Sequence, residues 1–278
     1  MKRVLITGAA GTLGRVLRER LPSHLATHTP GQAWRFRFSD LVEMAPATAA
    51  ERREGSEFLR CDLADAQAVH ALLEDVHAVV HLGGRSTESG WNELIASNLV
   101  GVINLYEAAR RRGCERVLLA SSNHAIGLYR RSERIDHRAA ARPDSRYGVC
   151  KAFGEDLAFL YAHKHRVRSL CMRIGSCVER PHNARMLASW LSYGDLLRLV
   201  AMGLMADYRY EIVYGVSANR RAWWDNRRAQ ELGYRPEDDA EAYAAELQHA
   251  VSDSAVAETF QGGHFAAEEF DGDIDAVR

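Results

Sequence analysis

The sequence predicts an α/β fold, a doubly wound parallel sheet followed by a small C-terminal lobe. Three observations carry this. Short β-rich runs alternate with longer helical patterns, as in successive βαβ units. The first run feeds straight into the glycine-rich stretch TGAAGTLG and then a helical pattern. Beyond residue 175 the alternation changes rhythm.

Six runs read as strands in order: Arg3–Thr7, Trp34–Ser39, Glu57–Arg60, Ala78–His81, Val117–Ser121 and Arg168–Arg173. Each is short, rich in β-branched or aromatic residues, and bounded by polar or turn residues. Helical periodicity covers 12–21, 66–75, 91–112 and 146–164, with an apparent insertion at 22–33. Later come a helix near 192–205, a strand near 210–214, and helices near 223–231 and 239–250. No Gly/Ser-rich linker interrupts the chain, so 1–278 is expected to form one compact unit, with 176–265 supplying most of the lobe. The acidic tail after Phe265 lacks apolar periodicity and its end is expected to be disordered.

Of the 278 residues, 47% are hydrophobic and 26% charged, enough apolar material for a sizeable core. A net charge of −1 gives no global basic field for nucleic acid or an anionic membrane. No apolar run reaches the roughly 20 residues needed to span a bilayer. A strand starts almost at the first residue, so no secretory signal is expected. Cys61, Cys114, Cys150, Cys171 and Cys177 are scattered, without metal-binding spacing; reduced thiols, no metal and a cytoplasmic setting are expected.

The turn after the first strand carries Gly8, Gly11 and Gly14 at GxxGxxG spacing, with Thr12 and Leu13 between the last two. Glycines permit a tight turn and close approach to a pyrophosphate, and the following helix offers free N–H groups to the phosphates. This strand–turn–helix context marks a Rossmann-type dinucleotide site. Asp40 ends the second strand, where a carboxylate suits the ribose hydroxyls of NAD and repels a 2′-phosphate. Arg35 and Arg37 are the nearby residues that would favour NADP, but neither stands at the strand end; NAD is the expected cofactor. Asp62, before Leu63, either meets the adenine amino group or, like Asp65, caps the next helix. Leu82, Gly83 and Gly84 follow the fourth strand, where backbone can approach the cofactor or simply turn.

In YGVCK, Tyr147 and Lys151 stand at i and i+4, on one helix face. Pro143, Asp144 and Ser145 are good helix-start residues. A phenol titrates near pKa 10, and a neighbouring ammonium favours its phenolate; Lys151 is expected to lower Tyr147 in this way. Cys150 is expected to point away from this face.

With the glycine turn, this pair resembles the extended short-chain dehydrogenase/reductases. That resemblance implies that Ser122, following Ala120 after the fifth strand, completes the catalytic set Ser122, Tyr147 and Lys151. Nucleotide-sugar epimerases and dehydratases of the superfamily typically carry Arg-x-x-Asn-x-Tyr-Gly-Pro after the sixth strand; here RIGSC stands instead. The stretches GRVLRERL, HLGG, NLYEAAR, ASSNHAIG, RPDSRYGVCKAFGE, RIGSC, RMLASW, SANRRAWWDN and FQGGHF together are similar to uronate dehydrogenases. The resemblance implies NAD-dependent oxidation of D-galacturonate or D-glucuronate at C1 to the aldarolactone. It also implies a substrate site of Ser86, Ser122, Asn123, His124, Ser176, Arg185 and Phe265, and a homo-oligomer. Arg185 can form a two-pronged pair with the sugar's carboxylate. Arg85 stands where an apolar side chain is expected. The arginine-dense segment 129–146 reads as a solvated loop, and Trp223, Trp224, Asp225 and Asn226 as packing and a helix cap. The readings weighed against this are an epimerase or dehydratase, and a non-catalytic NAD sensor; an intact Ser122, Tyr147 and Lys151 set argues against the sensor.

Overall fold

The computed structural model describes residues 1–277. Seven parallel strands form the central sheet: β1 Lys2–Thr7, β2 Trp34–Asp40, β3 Glu57–Arg60, β4 Ala78–His81, β5 Arg116–Ser122, β6 Arg168–Ile174 and β7 Tyr210–Gly215. Their order is β7-β6-β5-β4-β1-β2-β3. The chain therefore winds outward from β1 in one direction and returns to wind the other way from β4. At that reversal the connections leave on opposite faces, and a crevice opens at the carboxyl ends of β1 and β4.

Alternation along the strands builds a core on each face. Val4 and Ile6 join Leu17, Leu21 and Leu25 of helix α1 (Thr12–His28) and Leu199 of a later helix, Tyr193–Met205. Leu5, Val79 and Val117 face the other way, onto Val69, Leu105 and Ala158. Those three come from Ala66–Leu72, Gly101–Arg112 and Arg146–His165. The last is called the Tyr147 helix below.

Several expectations need correction. The region read as an insertion at 22–33 is largely helix: α1 runs through Pro22 to His28. Proline removes one bond to the Arg18 carbonyl, but Leu21 and Leu25 continue the buried stripe and hold the helix together. The helix expected over 91–112 contains a π-helical segment at Ile95–Val100. The extra residue per turn there brings Asn98 inward; its amide accepts from Arg85 N–H (2.8 Å) and donates to Arg85 carbonyl (2.9 Å). Trp224–Asp225, expected to be helical, pairs as a short strand with Ile135–Asp136, because the Trp224 ring stacks on Tyr214 at 5.1 Å. Only Arg227–Glu231 is helical there.

The 129–146 segment is solvated at Arg134 and Arg138 but anchored near each end. Arg131 pairs with Glu258 at 2.5 Å, and Arg146 with Glu88 at 3.0 Å. The tail is also tied down, since Arg130 donates to the Ile274 carbonyl at 2.6 Å; Arg278 lies outside the described residues.

Beneath the carboxyl ends of β5 and β6 lies a buried ion pair. Arg173 and Glu155 meet at 2.8 Å with side chains 2% and 4% exposed. Burial opposes the Arg173 charge, but the Glu155 partnership outweighs it and the guanidinium stays firmly protonated. Glu155→Ala strands that cation and is expected to lower stability by about 3–5 kcal/mol. Thermal denaturation checks this, and the double variant Glu155→Leu/Arg173→Met should recover part of the loss. Equal losses in both variants would remove the ion pair as the cause.

Candidate active site

The crevice is a cleft of about 930 Å³ along the carboxyl edge of the sheet. One end is mostly backbone. Gly8 sits at φ +70°, and a Cβ on Gly14 would lie 2.1 Å from the Gly8 carbonyl oxygen. Only glycine allows α1 to start this close to the turn. Gly8, Gly11, Thr12, Leu13 and Gly14 all line the cleft, facing it with the N-terminus of a 17-residue helix. This cradle fits a dinucleotide's pyrophosphate.

Asp40 lines the same end. Its carboxylate accepts from Ala10 N–H at 2.8 Å and Val42 N–H at 3.2 Å, so it is rigidly aimed yet keeps acceptor capacity for a ribose. Arg37 is unavailable to a 2′-phosphate. Its guanidinium donates to Glu57 (2.6 Å) and the Leu72 carbonyl (2.6 Å). Arg35 lies at the other end of β2. The two readings of CDLAD separate: Asp65 caps the next helix through Gln67 and Ala68 N–H, while Asp62 lines the cleft beside Leu63. Leu82, Gly83 and Gly84 line it too, as does Ala120. Arg85 and Ser86 form part of its exposed rim.

The other end gathers side chains. β5 brings Ser122, and the following 3-10 turn brings Asn123 and His124. The Tyr147 helix starts at Arg146, capped by Ser145 accepting from Gly148 N–H at 3.0 Å and by Glu88 accepting from Tyr147 N–H at 2.9 Å. That fixes Tyr147 in the first turn. Ser122, Tyr147 and Lys151 line the cleft together. Cys150 is buried beside Lys151, His81 and Asn98, away from the main cleft.

The expected lowering of Tyr147 by Lys151 is not what this protein shows on its own. The phenol is raised to about 12, chiefly by burial and in part by the Asp144 charge, against a hydrogen bond from Ser122 that lowers it. Lys151 donates to the Ala120 carbonyl at 2.8 Å and lies 5.3 Å from the centre of the Tyr147 ring, over its face. Burial lowers the ammonium itself to about 8. Nearby, burial and then the Lys151 charge depress His81 to about 3. His81 is therefore neutral, bonded to the Thr7 hydroxyl at 2.8 Å.

Ser176, Arg185 and Phe265 stand just behind the cleft wall. Arg185 donates to the Gln261 carbonyl through Nε (2.9 Å) and Nη2 (2.6 Å), and to Ser176 through Nη1 (3.1 Å). With the Asn123 amide oriented to donate to the Ile174 carbonyl (3.1 Å), its oxygen accepts from Arg185 Nη2 at 2.8 Å. Among the described residues no carboxylate lies within 4 Å of this guanidinium. Burial, then the Arg131 charge, lowers it to about 10. Phe265 stacks on His124 at 4.0 Å and meets Tyr147 edge-on at 6.0 Å. Glu88, Asn98, Asp144 and Gln261 shape the site but were not singled out for it from sequence. Their partners are far away in the chain, and only the N-cap position of Ser145 beside Asp144 gave a local hint.

A family model for the NAD dependent epimerase/dehydratase family matches residues 4–192. A uronate dehydrogenase of Pseudomonas putida is 47% identical over 267 residues, 95% of this chain and 95% of that protein. The chain belongs to the uronate dehydrogenases of this family. It is thus an NAD-dependent oxidoreductase. Among solved structures, a mutant uronate dehydrogenase from Agrobacterium tumefaciens complexed with NAD superposes with TM-score 0.87 at 40% identity, covering 96% of this chain and 97% of that one. A glucuronic acid dehydrogenase from Chromohalobacter salexigens gives TM-score 0.86 at 43% identity, covering 99% of each chain.

Asp40→Asn keeps an acceptor for Ala10 N–H and removes the charge. It is expected to weaken NAD binding roughly 10–100-fold, the worth of a charge-assisted hydrogen bond, and to narrow the gap to NADP. Fluorescence titration with both nucleotides tests this; an unchanged NAD-to-NADP ratio would show that Asp40 does not discriminate.

Proposed function

We propose that this enzyme oxidises the anomeric C1 of D-galacturonate or D-glucuronate to the aldarolactone, with Tyr147 as general base. The observation that carries the reading is a Ser122–Tyr147–Lys151 set lining one end of the cleft, with Arg185 just behind its wall, a cation that no carboxylate among the described residues meets within 4 Å. The first serves an alcohol being oxidised. The second serves an anionic substrate.

NAD would be held by the Gly8–Gly14 turn and Asp40 and would supply the hydride acceptor when bound. Everything else falls to the chain. Ser122 donates a hydrogen bond to the C1 oxygen and holds it beside the phenol. Tyr147 takes the proton from that oxygen as the C1–H bond breaks and the C=O bond forms. A phenol raised to about 12 is protonated at neutral pH, so positive charge has to lower it. Lys151 is the protein's own source, and an oxidised nicotinamide ring adds a second. Lys151 is poised to lose its charge near pH 8, which limits how far the pH can rise before this help fades.

Asn123 and His124 suit ring hydroxyls, and the Arg85–Ser86 rim lies where the sugar enters. The charge of Arg185, which no carboxylate among the described residues meets directly, attracts the sugar's carboxylate, with Asn123 and Ser176 steering the guanidinium. The lactone is released and opens in water.

An assay at 340 nm with galacturonate, glucuronate and mannuronate tests the reading directly; silence with all three would end it. Tyr147→Phe is expected to lower kcat about 10³-fold with NAD binding intact. In the unaltered enzyme kcat/KM should climb between pH 6 and 8, because the active form of Tyr147 is the deprotonated one and its pKa lies above that window. A flat profile, or activity surviving in the Phe variant, would assign the base elsewhere.

Arg185→Gln is expected to raise KM for uronates roughly 10–100-fold and leave neutral aldoses little changed. Equal effects on both substrate classes would make Arg185 a purely architectural residue.

A further inference from the structure

Asp144 is a fully buried carboxylate behind His124, and the chemistry above gives it no task. Its charge works against the site, since it raises the Tyr147 phenol that has to lose a proton. It does not pair with Arg185, although the guanidinium feels its charge. Yet the fold goes to some length to place it. A Cβ on Gly127 would lie 1.8 Å from its Oδ2, and so would one on Gly262. Two separate segments thus carry glycine where any side chain would collide with this carboxylate.

The carboxylate has two assigned partners. Oδ1 accepts from the Ser145 hydroxyl at 2.8 Å, whose oxygen in turn accepts from Gly148 N–H. Oδ2 lies 2.8 Å from Nδ1 of His124. An ionised carboxylate only accepts, so the hydrogen in that contact belongs to Nδ1. In a neutral imidazole the other nitrogen, Nε2, then carries a lone pair and no hydrogen. Phe265, stacked on the ring with planes 18° apart, fixes its plane. Both the orientation of His124 and the location of its proton are set from behind, and the ring lines the cleft beside Tyr147.

We propose that Asp144 is a positioning residue that locks His124 in the Nδ1–H tautomer, so that His124 presents a hydrogen-bond acceptor to a substrate hydroxyl other than the one oxidised. This makes the Asp144–His124 pair a specificity device. A buried acceptor left unpaired penalises an analogue that lacks the hydroxyl or turns it away. The ligand in this inference rests on the sugar-acid reading above; the tautomer does not.

The test has two arms on the full chain. Nitrogen-15 NMR of histidine-labelled protein, with His124 assigned by loss of its signals in His124→Gln, should find Nδ1 carrying the hydrogen and Nε2 without one. Asp144→Asn should shift His124 toward the Nε2–H form. An Nε2–H tautomer in the unaltered protein overturns the proposal whatever the substrate proves to be, and this measurement needs no variant of Asp144 to fold.

In the kinetic arm, Asp144→Asn should lower kcat/KM for uronates roughly 10–100-fold, mainly through KM, with NAD affinity unchanged. Adding Asp144→Asn to His124→Gln should cost almost nothing more. Fully additive losses would mean that Asp144 acts independently of His124, and would overturn the proposal. Absence of uronate turnover in the unaltered enzyme would count against the proposed substrate alone, while the tautomer stands or falls by NMR.

Discussion

The site's geometry depends on the buried pairing of Arg173 with Glu155. Arg173 belongs to β6 and Glu155 to the helix that carries Tyr147 and Lys151. Glu155 also accepts from the Ser121 hydroxyl at 2.5 Å, one residue before Ser122. A single carboxylate therefore ties the Tyr147 helix to β5, next to Ser122, and to β6. Desolvating such a pair is expensive, and a hydrophobic replacement often serves stability equally well. What an apolar contact would not supply is direction. Three hydrogen bonds to one carboxylate fix the helix against sliding, and a slide of an ångström would separate Ser122 from Tyr147.

The cleft uses desolvation as a tool. Tyr147, Lys151 and Arg185 are all displaced by burial in the direction that disfavours their charged forms. Each is consequently receptive to a ligand of opposite character. A cation denied water gains more from a carboxylate than an exposed one does, because the competing solvent and its screening are gone. Reduced screening also makes neighbouring charges strongly felt. That explains why Asp144 influences both Tyr147 and Arg185 while bonding to neither.

Much of this was legible in the sequence where the signal is local. GxxGxxG after a strand, Asp40 at the next strand end, and Tyr147 four residues before Lys151 each depend on spacing within a few residues. All three motifs meet in one cleft. The parallel sheet was legible for the same reason, through runs whose ends differ from the observed strands by a residue or so. Long-range features were not. The bonding of Asn98 to the Arg85 loop needs a π-helical segment that no apolar period announces. Trp224 looked helical because its neighbours are, and a stacked Tyr214 ring overrides them. The helix expected to end at residue 21 runs on through Pro22 to His28, because the stripe of Leu17, Leu21 and Leu25 outweighs one missing hydrogen bond.

The cleft's two ends are built by different means, and this asymmetry separates what can vary. At the nucleotide end, backbone N–H groups and glycines do the holding, so identity changes there meet carbonyl oxygens at close range. At the other end, side chains on the β5 turn and the Tyr147 helix line the cleft, with Arg185 and Phe265 packed behind them. Each of those side chains is buttressed by another: Asn123 by Arg185, Arg185 by the Gln261 carbonyl, His124 by Asp144 and Phe265. A change in the outer member alters the inner one's direction or proton position without touching the cleft wall. On the proposed reading, substrate preference can be tuned from behind the wall, whereas the dinucleotide turn tolerates little change of any kind.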